Sequence, residues 1–326
     1  MSMNVKLKYA ASLMLAGACC AISGVAAAAS FPDKPVKLVV PTAVGGAVDN
    51  VARIVAHALS VRWKQSVIVE NKPGAGGMIG AAQVVRAAAD GYTLGFISTG
   101  YTTLSSIRSD LSFDPVGGIA PVGIVGQVPF VMLVEKNSPY KTVDDLVQFA
   151  RQNPDKLSYA SGGPGTLTHL LAAWFADEAK INMLHVPYGG AGPALQALLG
   201  KQVSLYFDPI STSAQLVKDG RLNALGTTGE KRSDTLPDVK TLSEDGFRVQ
   251  GAVWFGMVAP ARTNPDIVNQ INLDLEQVLA DPATRKRLIS SGIDVESMTT
   301  GEFKDFLASQ TALWKKVIQQ NSIHLN

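Results

Sequence analysis

Short β-branched, apolar runs alternate along this chain with stretches of helical spacing. Val36–Val40, Ser66–Glu70 and Thr93–Ser98 read as strands, with helices expected near Asp49–Val61 and Ile79–Ala88 between them. Strand, helix, strand predicts a parallel sheet. The rhythm returns with Leu157–Ala160, Met183–Val186, Val203–Phe207 and Leu222–Thr227, separated by helical stretches near Leu167–Ala179, Pro193–Leu199 and Ser211–Lys218. A second sheet is expected there.

Two longer apolar runs flank the second set. "PVGIVGQVPFVMLVEK", Pro121 to Lys136, is interrupted by glycines and Pro129; its counterpart is "GAVWFGMVAPAR", Gly251 to Arg262. Strands that carry the chain into a second lobe and back out would look like this, and a chain that crosses twice makes a hinge. The expected boundaries are residues 30–130 and 252–326 for the first lobe and 131–251 for the second. Asn264-Pro265 is an N-cap followed by Pro at the first helical position, and Thr299-x-x-Glu302 is a capping box, so the C-terminal part reads as helices that pack back on the first lobe.

The N-terminus changes the picture of where the protein works. Lys6 and Lys8 precede an apolar run from Tyr9 to Val25 that ends in Ala26–Ala29. Such a run, too short and too broken by Gly17, Ser23 and Gly24 for an anchor, is a secretory signal peptide over residues 1–29, and the mature chain is expected in the periplasm. Both cysteines, Cys19 and Cys20, fall inside it, so no disulfide or thiolate is expected in the mature protein; lipidation of Cys19 is disfavoured by the residues before it. Without Lys6 and Lys8, 27 basic residues face 27 acidic ones. That balance gives no field for nucleic acid or an anionic membrane surface.

Candidate chemistry sits in two glycine-lined turns. In "LVVPTAVGGAVDNVAR", residues 38–53, a strand runs into Gly45-Gly46 and then a helix; the helix N-terminus and turned N–H groups suit an anion. Neither the P-loop nor the dinucleotide glycine spacing is present. Asp49 is expected to cap that helix. A tight turn with no ligand is an equal reading of this loop taken alone. "SYASGGPGTLTHL", residues 158–170, repeats the arrangement with Gly162, Gly163 and Gly165 and adds the hydroxyls of Ser161, Thr166 and Thr168. If both loops lie at the carboxyl edges of their sheets they face each other across a cleft, where open α/β sheets bind ligands, and can clamp a carboxylate without arginine.

Other candidates are weaker. Ser161 with His169 is the enzymatic alternative, an exported hydrolase, but there is no G-x-S-x-G elbow and no evident acid to orient the imidazole. His57, His169, His185 and His324 lack metal spacing, so neither a metal nor a cofactor is expected. Gly74, Gly76, Gly77 and Gly80 could form a third anion nest or merely allow close packing. Asp208, at a strand's carboxyl end, is placed at a ligand hydroxyl or amine, or at neighbouring backbone N–H groups. Tyr101 and Trp254 are open between lining the cleft and interior packing.

Several stretches together, "PTAVGGAVD", "ENKPGAGGMIGAAQVVRAAADGYTL", "PYGGAGPALQALLGKQVSLYFD", "GRLNALGTTGEKRSDTLPDVKTLSEDGF" and "WFGMVAPARTNPDIVNQIN", resemble the Bug-type extracytoplasmic solute receptors, the binding proteins of tripartite tricarboxylate transporters. The resemblance runs from about Phe31 to the C-terminus. It implies an α/β, two-lobe Venus-flytrap of the type II periplasmic binding-protein fold with two crossover hinge strands, not an enzyme, closing on a small organic carboxylate and serving membrane subunits of such a transporter. Carried over by position, the clamp comprises Pro41, Thr42, Ala43, Val44, Gly45, Gly46 and Asp49 with Ser161, Gly163, Gly165 and Thr166, and His169 just beyond. The first loop departs from the family pattern: Thr42, Ala43 and Val44 stand where an aromatic residue and further prolines are common, which makes a roomier pocket or removes an aromatic wall. A monomer is the default for a flytrap, and a sensor that engages a signalling partner is the alternative to transport.

Overall fold

The structure is a computed structural model that describes residues 31–74, 77–107, 111 and 113–320. The leader, Cys19, Cys20, Gly76 and His324 lie outside the described residues. The folded body runs from Lys34 onward.

The first sheet is built on β1 (Val36–Val40), flanked in parallel by β2 (Val67–Asn71) and β3 (Thr93–Ser98), with Leu38 opposite Val69 on one side and Leu94 on the other. Four of the five β1 residues are buried, as a central strand covered on both faces requires. Antiparallel to β3 runs β9 (Ala252–Pro260), and beyond it β4 (Ile119–Glu135), whose Gly126 and Gln127 pair with the two-residue β10 (Asp294–Val295).

β4 is shared between two sheets. Ile119–Pro129 pairs with β9, whereas Phe130–Glu135 is flanked by β7 (Leu205–Pro209) and β8 (Leu222–Thr227). β7 continues in parallel to β5 (Ser158–Ser161), and β5 to β6 (Leu184–Pro187). Pro129 falls at the step from one sheet to the next, and register shifts near Gly123 and Gly126 bend the strand before it. The two long apolar runs of the sequence are thus the crossing strands of a two-lobe α/β fold.

Beyond the step, side chains of β4 alternate strictly. Phe130, Met132 and Val134 enter one core with Leu205 and Phe207 of β7, while Val131 and Leu133 enter the other with Tyr206. Helices α1 (Ala47–Trp63), α2 (Met78–Val85) and α3 (Thr99–Ile107) follow the first three strands. α4 (Val143–Gln152), α5 (Leu167–Ala179), α6 (Ala191–Leu199) and α7 (Ile210–Lys218) belong to the second set. The strand-helix reading missed α4, although its capping box is written in the chain as Thr142 and Asp145.

The C-terminal helices are α8 (Pro265–Ala280), α9 (Pro282–Ser290) and α10 (Thr300–Gln320). Asn264 caps α8, and Thr299 with Glu302 caps α10. The expectation that these helices return wholly to the first lobe is corrected by α10. Phe303 and Leu307 pack with Val39, Ile97 and Trp254 of the first sheet, but Trp314 and Val317 lie in the core of the second with Leu171 and Phe175. Eleven residues at a rise of 1.5 Å separate Phe303 from Trp314, so the helix spans about 16 Å between the two cores. It straps the lobes together beside the crossing strands.

Candidate functional site

Strand directions place the two glycine-lined turns. β9 begins at Ala252, opposite Pro129 where β4 leaves the first sheet, and Ser98 at the end of β3 lies opposite Phe255. The carboxyl ends of the parallel strands β1, β2 and β3 therefore point toward the second sheet. There β4 enters at Phe130, opposite Pro209 at the carboxyl end of β7, so β5, β6 and β7 end at the edge that faces the first sheet. Pro41–Gly46 and Ser161–Thr166 stand on facing edges, where open α/β sheets hold ligands.

On the first edge, helix α1 begins at Ala47 with Gly46 as an extended, side-chain-free cap. Asp49 lies inside the first turn and does not cap the helix as expected. Its buried carboxylate faces backward and accepts the Gly45 N–H at 2.8 Å, Arg53 Nε at 3.0 Å and Asn71 Nδ2 at 2.9 Å. Burial opposes the charge of Asp49, but these donors and the Arg53 cation together hold its pKa below the ordinary carboxylate value. Asn71 also donates to the Thr42 carbonyl at 3.1 Å, so one network fixes both ends of the loop. Asn71 went unnoticed in the sequence; its place at the end of β2, beside the loop, is what recruits it.

Helix α2 closes the other side of this loop. A Cβ on Gly80 would fall 2.8 Å from Pro41 Cα and 2.9 Å from the Lys72 carbonyl, so only glycine admits the approach. Gly77, with φ +98°, turns the chain into the helix. These two glycines therefore serve packing. Gly74 also has positive φ, +126°.

On the second edge the side chains occupy the glycine amides. Gly162 donates its N–H to Thr168 Oγ1 at 2.9 Å, Gly163 to Ser161 Oγ at 3.1 Å and Gly165 to His169 Nδ1 at 3.1 Å. Thr166 Oγ1 donates to the Gly163 carbonyl at 2.7 Å. With Gly45 held by Asp49, the expected clamp of glycine amides is corrected: the loops satisfy those groups internally. The first-turn amides of the two helices, Ala47 and Val48 on one edge and Leu167 and Thr168 on the other, have no acceptor within a helix. The Thr42 hydroxyl is buried without a partner among the described residues.

Ser161 does not meet His169. Its hydroxyl lies 2.6 Å from Nε2 of His185, a residue 24 positions away, and the side chain is fully buried. Tyr159, His185 and His169 stack in a column, with 4.8 Å between the first two rings and 4.0 Å between the two imidazoles. Burial, with the neighbouring His185, lowers the His169 pKa to about 4, and burial lowers that of His185. Both rings are neutral at pH 7. The serine–histidine pair proposed for hydrolysis is therefore not formed by the expected partner, and the serine is sealed beneath its own loop.

Asp208 ends β7 on the same edge and is buried. Thr212 donates to its Oδ2, while Oδ1 has no partner among the described residues, nor has the Tyr206 hydroxyl two residues back. Burial raises the Asp208 pKa to about 6, against the lowering pull of nearby hydroxyls. Trp254 is fully buried against Phe303 and Phe306, a core residue. Tyr101 donates its hydroxyl to the Pro115 carbonyl. No cluster of metal-binding side chains and no helix long and apolar enough to cross a membrane occurs among the described residues.

Residues 51–323 match the TctC family, described as the tripartite tricarboxylate transporter family receptor. The periplasmic binding protein BugD is 33% identical, with 90% of this chain and 99% of that chain covered and a TM-score of 0.70. Rhodopseudomonas palustris supplies two further neighbours. Rpa4515, solved with adipate, is 30% identical with a TM-score of 0.74, covering 90% of this chain and 99% of that one. MatC, solved with bound malate, is 28% identical with a TM-score of 0.69, covering 88% and 100%.

Proposed function

The chain belongs to the family of tripartite tricarboxylate transporter receptors, and from that premise we propose that it captures a small organic carboxylate between its lobes and delivers it to the membrane subunits of such a transporter. The observation that carries this reading is the placement of the two helix starts, Ala47–Val48 and Leu167–Thr168, on facing sheet edges. Each contributes unpaired amides and the positive end of a helix dipole, and one carboxylate between them satisfies both. Adipate and malate in the two relatives belong to the same ligand class.

Capture works by population shift. A ligand that touches both edges only when they approach favours the closed arrangement by its differential affinity for that state. Asp49, Asn71, Ser161 and Thr168 act here by holding the loops that aim those amides. We assign Pro41–Gly46, Gly163, Gly165, Thr166 and His169 to the walls of this site, with Ser161 beneath them, and the protein to the periplasm as a monomer.

The test is thermal unfolding of the purified protein, refolded to strip carried ligand, against organic acids, sugars and nucleotides. A ligand at 100 times its dissociation constant stabilises the native state by about 2.7 kcal/mol, a shift of a few degrees for a chain of this size. Shifts confined to carboxylates are expected. A panel in which no carboxylate moves the transition, or in which sugars do, would overturn the reading.

A further inference from the structure

The facing edges differ in what they offer beyond the amides. Val44 is 71% exposed on the first loop and Ile79 is 55% exposed in the first turn of α2. Both stand at carboxyl ends of first-sheet strands, and the Gly80–Pro41 approach ties the turn that carries Ile79 to the loop that carries Val44. Two large aliphatic side chains are thus left largely exposed on and beside the first-edge loop.

The charges nearby are already engaged. Arg53 is held by Asp49 and Asn71, and Lys37 and Lys72 both hold Glu70. On the opposite edge, the described residues from Ser161 to His169 and from His185 to Gly190 carry no Lys or Arg. The ionisable side chains of these two stretches are the stacked imidazoles of His169 and His185 and the phenol of Tyr188. A second carboxylate placed against these two stretches would lose water and find no Lys or Arg among them, and a buried charge without a partner is strongly disfavoured.

Resting on the receptor function proposed for this site, we infer that the ligand of this protein is a monocarboxylate with an apolar body, its single carboxylate at the helix starts and its aliphatic or aromatic remainder against Val44 and Ile79. Tyr159, His185 and His169 form a continuous stack of rings in the second lobe and add no charge that would favour a second carboxylate.

Hexanoate and adipate make a matched pair of probes, with the same carbon count and a methyl or a second carboxylate at the far end. Calorimetric titration of the refolded protein is expected to show hexanoate, octanoate or benzoate bound at least about tenfold tighter than adipate, malate and citrate, the discrimination a site without a countercharge gives. Val44→Lys, at a position exposed enough to leave folding intact, is expected to reverse the order of hexanoate and adipate. Tighter binding of any di- or tricarboxylate to the unaltered protein overturns the inference and leaves the receptor reading standing. If no carboxylate binds at all, the receptor reading fails and the inference with it.

Discussion

His169 and His185 lie face to face, their ring centroids 4.0 Å apart and their planes within 7°. Nδ1 of His169 accepts the Gly165 N–H, so a proton added there ejects the amide that shapes the second-lobe loop. Tyr159 and Ser161 face the same pair and supply no negative charge, so acid is opposed from both sides. The folded His169 pKa, about 4, lies below its ordinary 6.5. Between those values the unfolded chain binds more protons, so this group's stabilisation is complete above pH 6.5 and is lost as the pH falls toward 4. His169→Gln, which keeps an acceptor but does not titrate, is expected to flatten that part of the stability profile measured by urea unfolding; an unchanged slope would show that the stack is not its source.

Asp208 pulls the other way. Its pKa rises from 3.8 to about 6 on folding, so between those values the native state binds more protons. Its contribution is greatest below pH 3.8 and disappears as the pH rises through 6, leaving a buried charge at neutrality. Asp208→Asn is therefore expected to be neutral or stabilising at pH 7.5 and to remove the gain on acidification. A loss of stability at pH 7.5 would mean that the ionised carboxylate does structural service that Thr212 alone does not explain.

The sequence pattern carried the strands, the crossing runs and the two turns because each is a local signal: a fully buried apolar run, a proline, a pair of glycines. Pairings between elements were not local. Ser161 is close to His169 in the chain, yet β5 and β6 pair Tyr159 with His185, and this brings the serine hydroxyl to His185 instead. The apolar face of α10 told that the helix is buried but not that its two halves enter different cores. Asp49 was legible as a residue of the helix start, while its backward reach to Gly45 depended on where the helix begins, two residues earlier than the apolar spacing indicates.

The glycines of the turns are not equivalent. Gly163 has φ +126°, where an L-residue is strained although the nearest atom to a Cβ, the Tyr188 carbonyl oxygen, is 3.5 Å away. Gly46 has φ −75°, and a Cβ there would sit at an ordinary 3.6 Å from the Ala43 carbonyl. Gly163→Ala is expected to cost about 1–3 kcal/mol and to weaken carboxylate binding, whereas Gly46→Ala stays within about 0.5 kcal/mol. Denaturant midpoints and the thermal shift with a bound carboxylate measure both, and equal costs would contradict the assignment of strain to Gly163 alone.

Thr228 joins the two passages between the lobes. Its hydroxyl accepts the Phe130 N–H at 2.9 Å, where β4 steps into the second sheet, and donates to the Gly251 carbonyl, where the chain sets out on the return. Its own N–H bonds the Phe130 carbonyl, and the Gly251 N–H bonds its carbonyl at 3.0 Å. A Cβ on Gly251 would crowd the Leu171 side chain at 2.8 Å and Trp314 of the α10 strap at 3.2 Å. All three connections thus converge on this point, and bending of one lobe against the other must pass through it. Thr228→Val keeps the shape and removes the hydroxyl, leaving a buried N–H unpaired at a cost of about 1–3 kcal/mol. If the joint takes part in closure, carboxylate affinity is expected to fall in Thr228→Val and to be restored in Thr228→Ser. Lower stability with unchanged affinity would make this joint a structural tie with no part in closure.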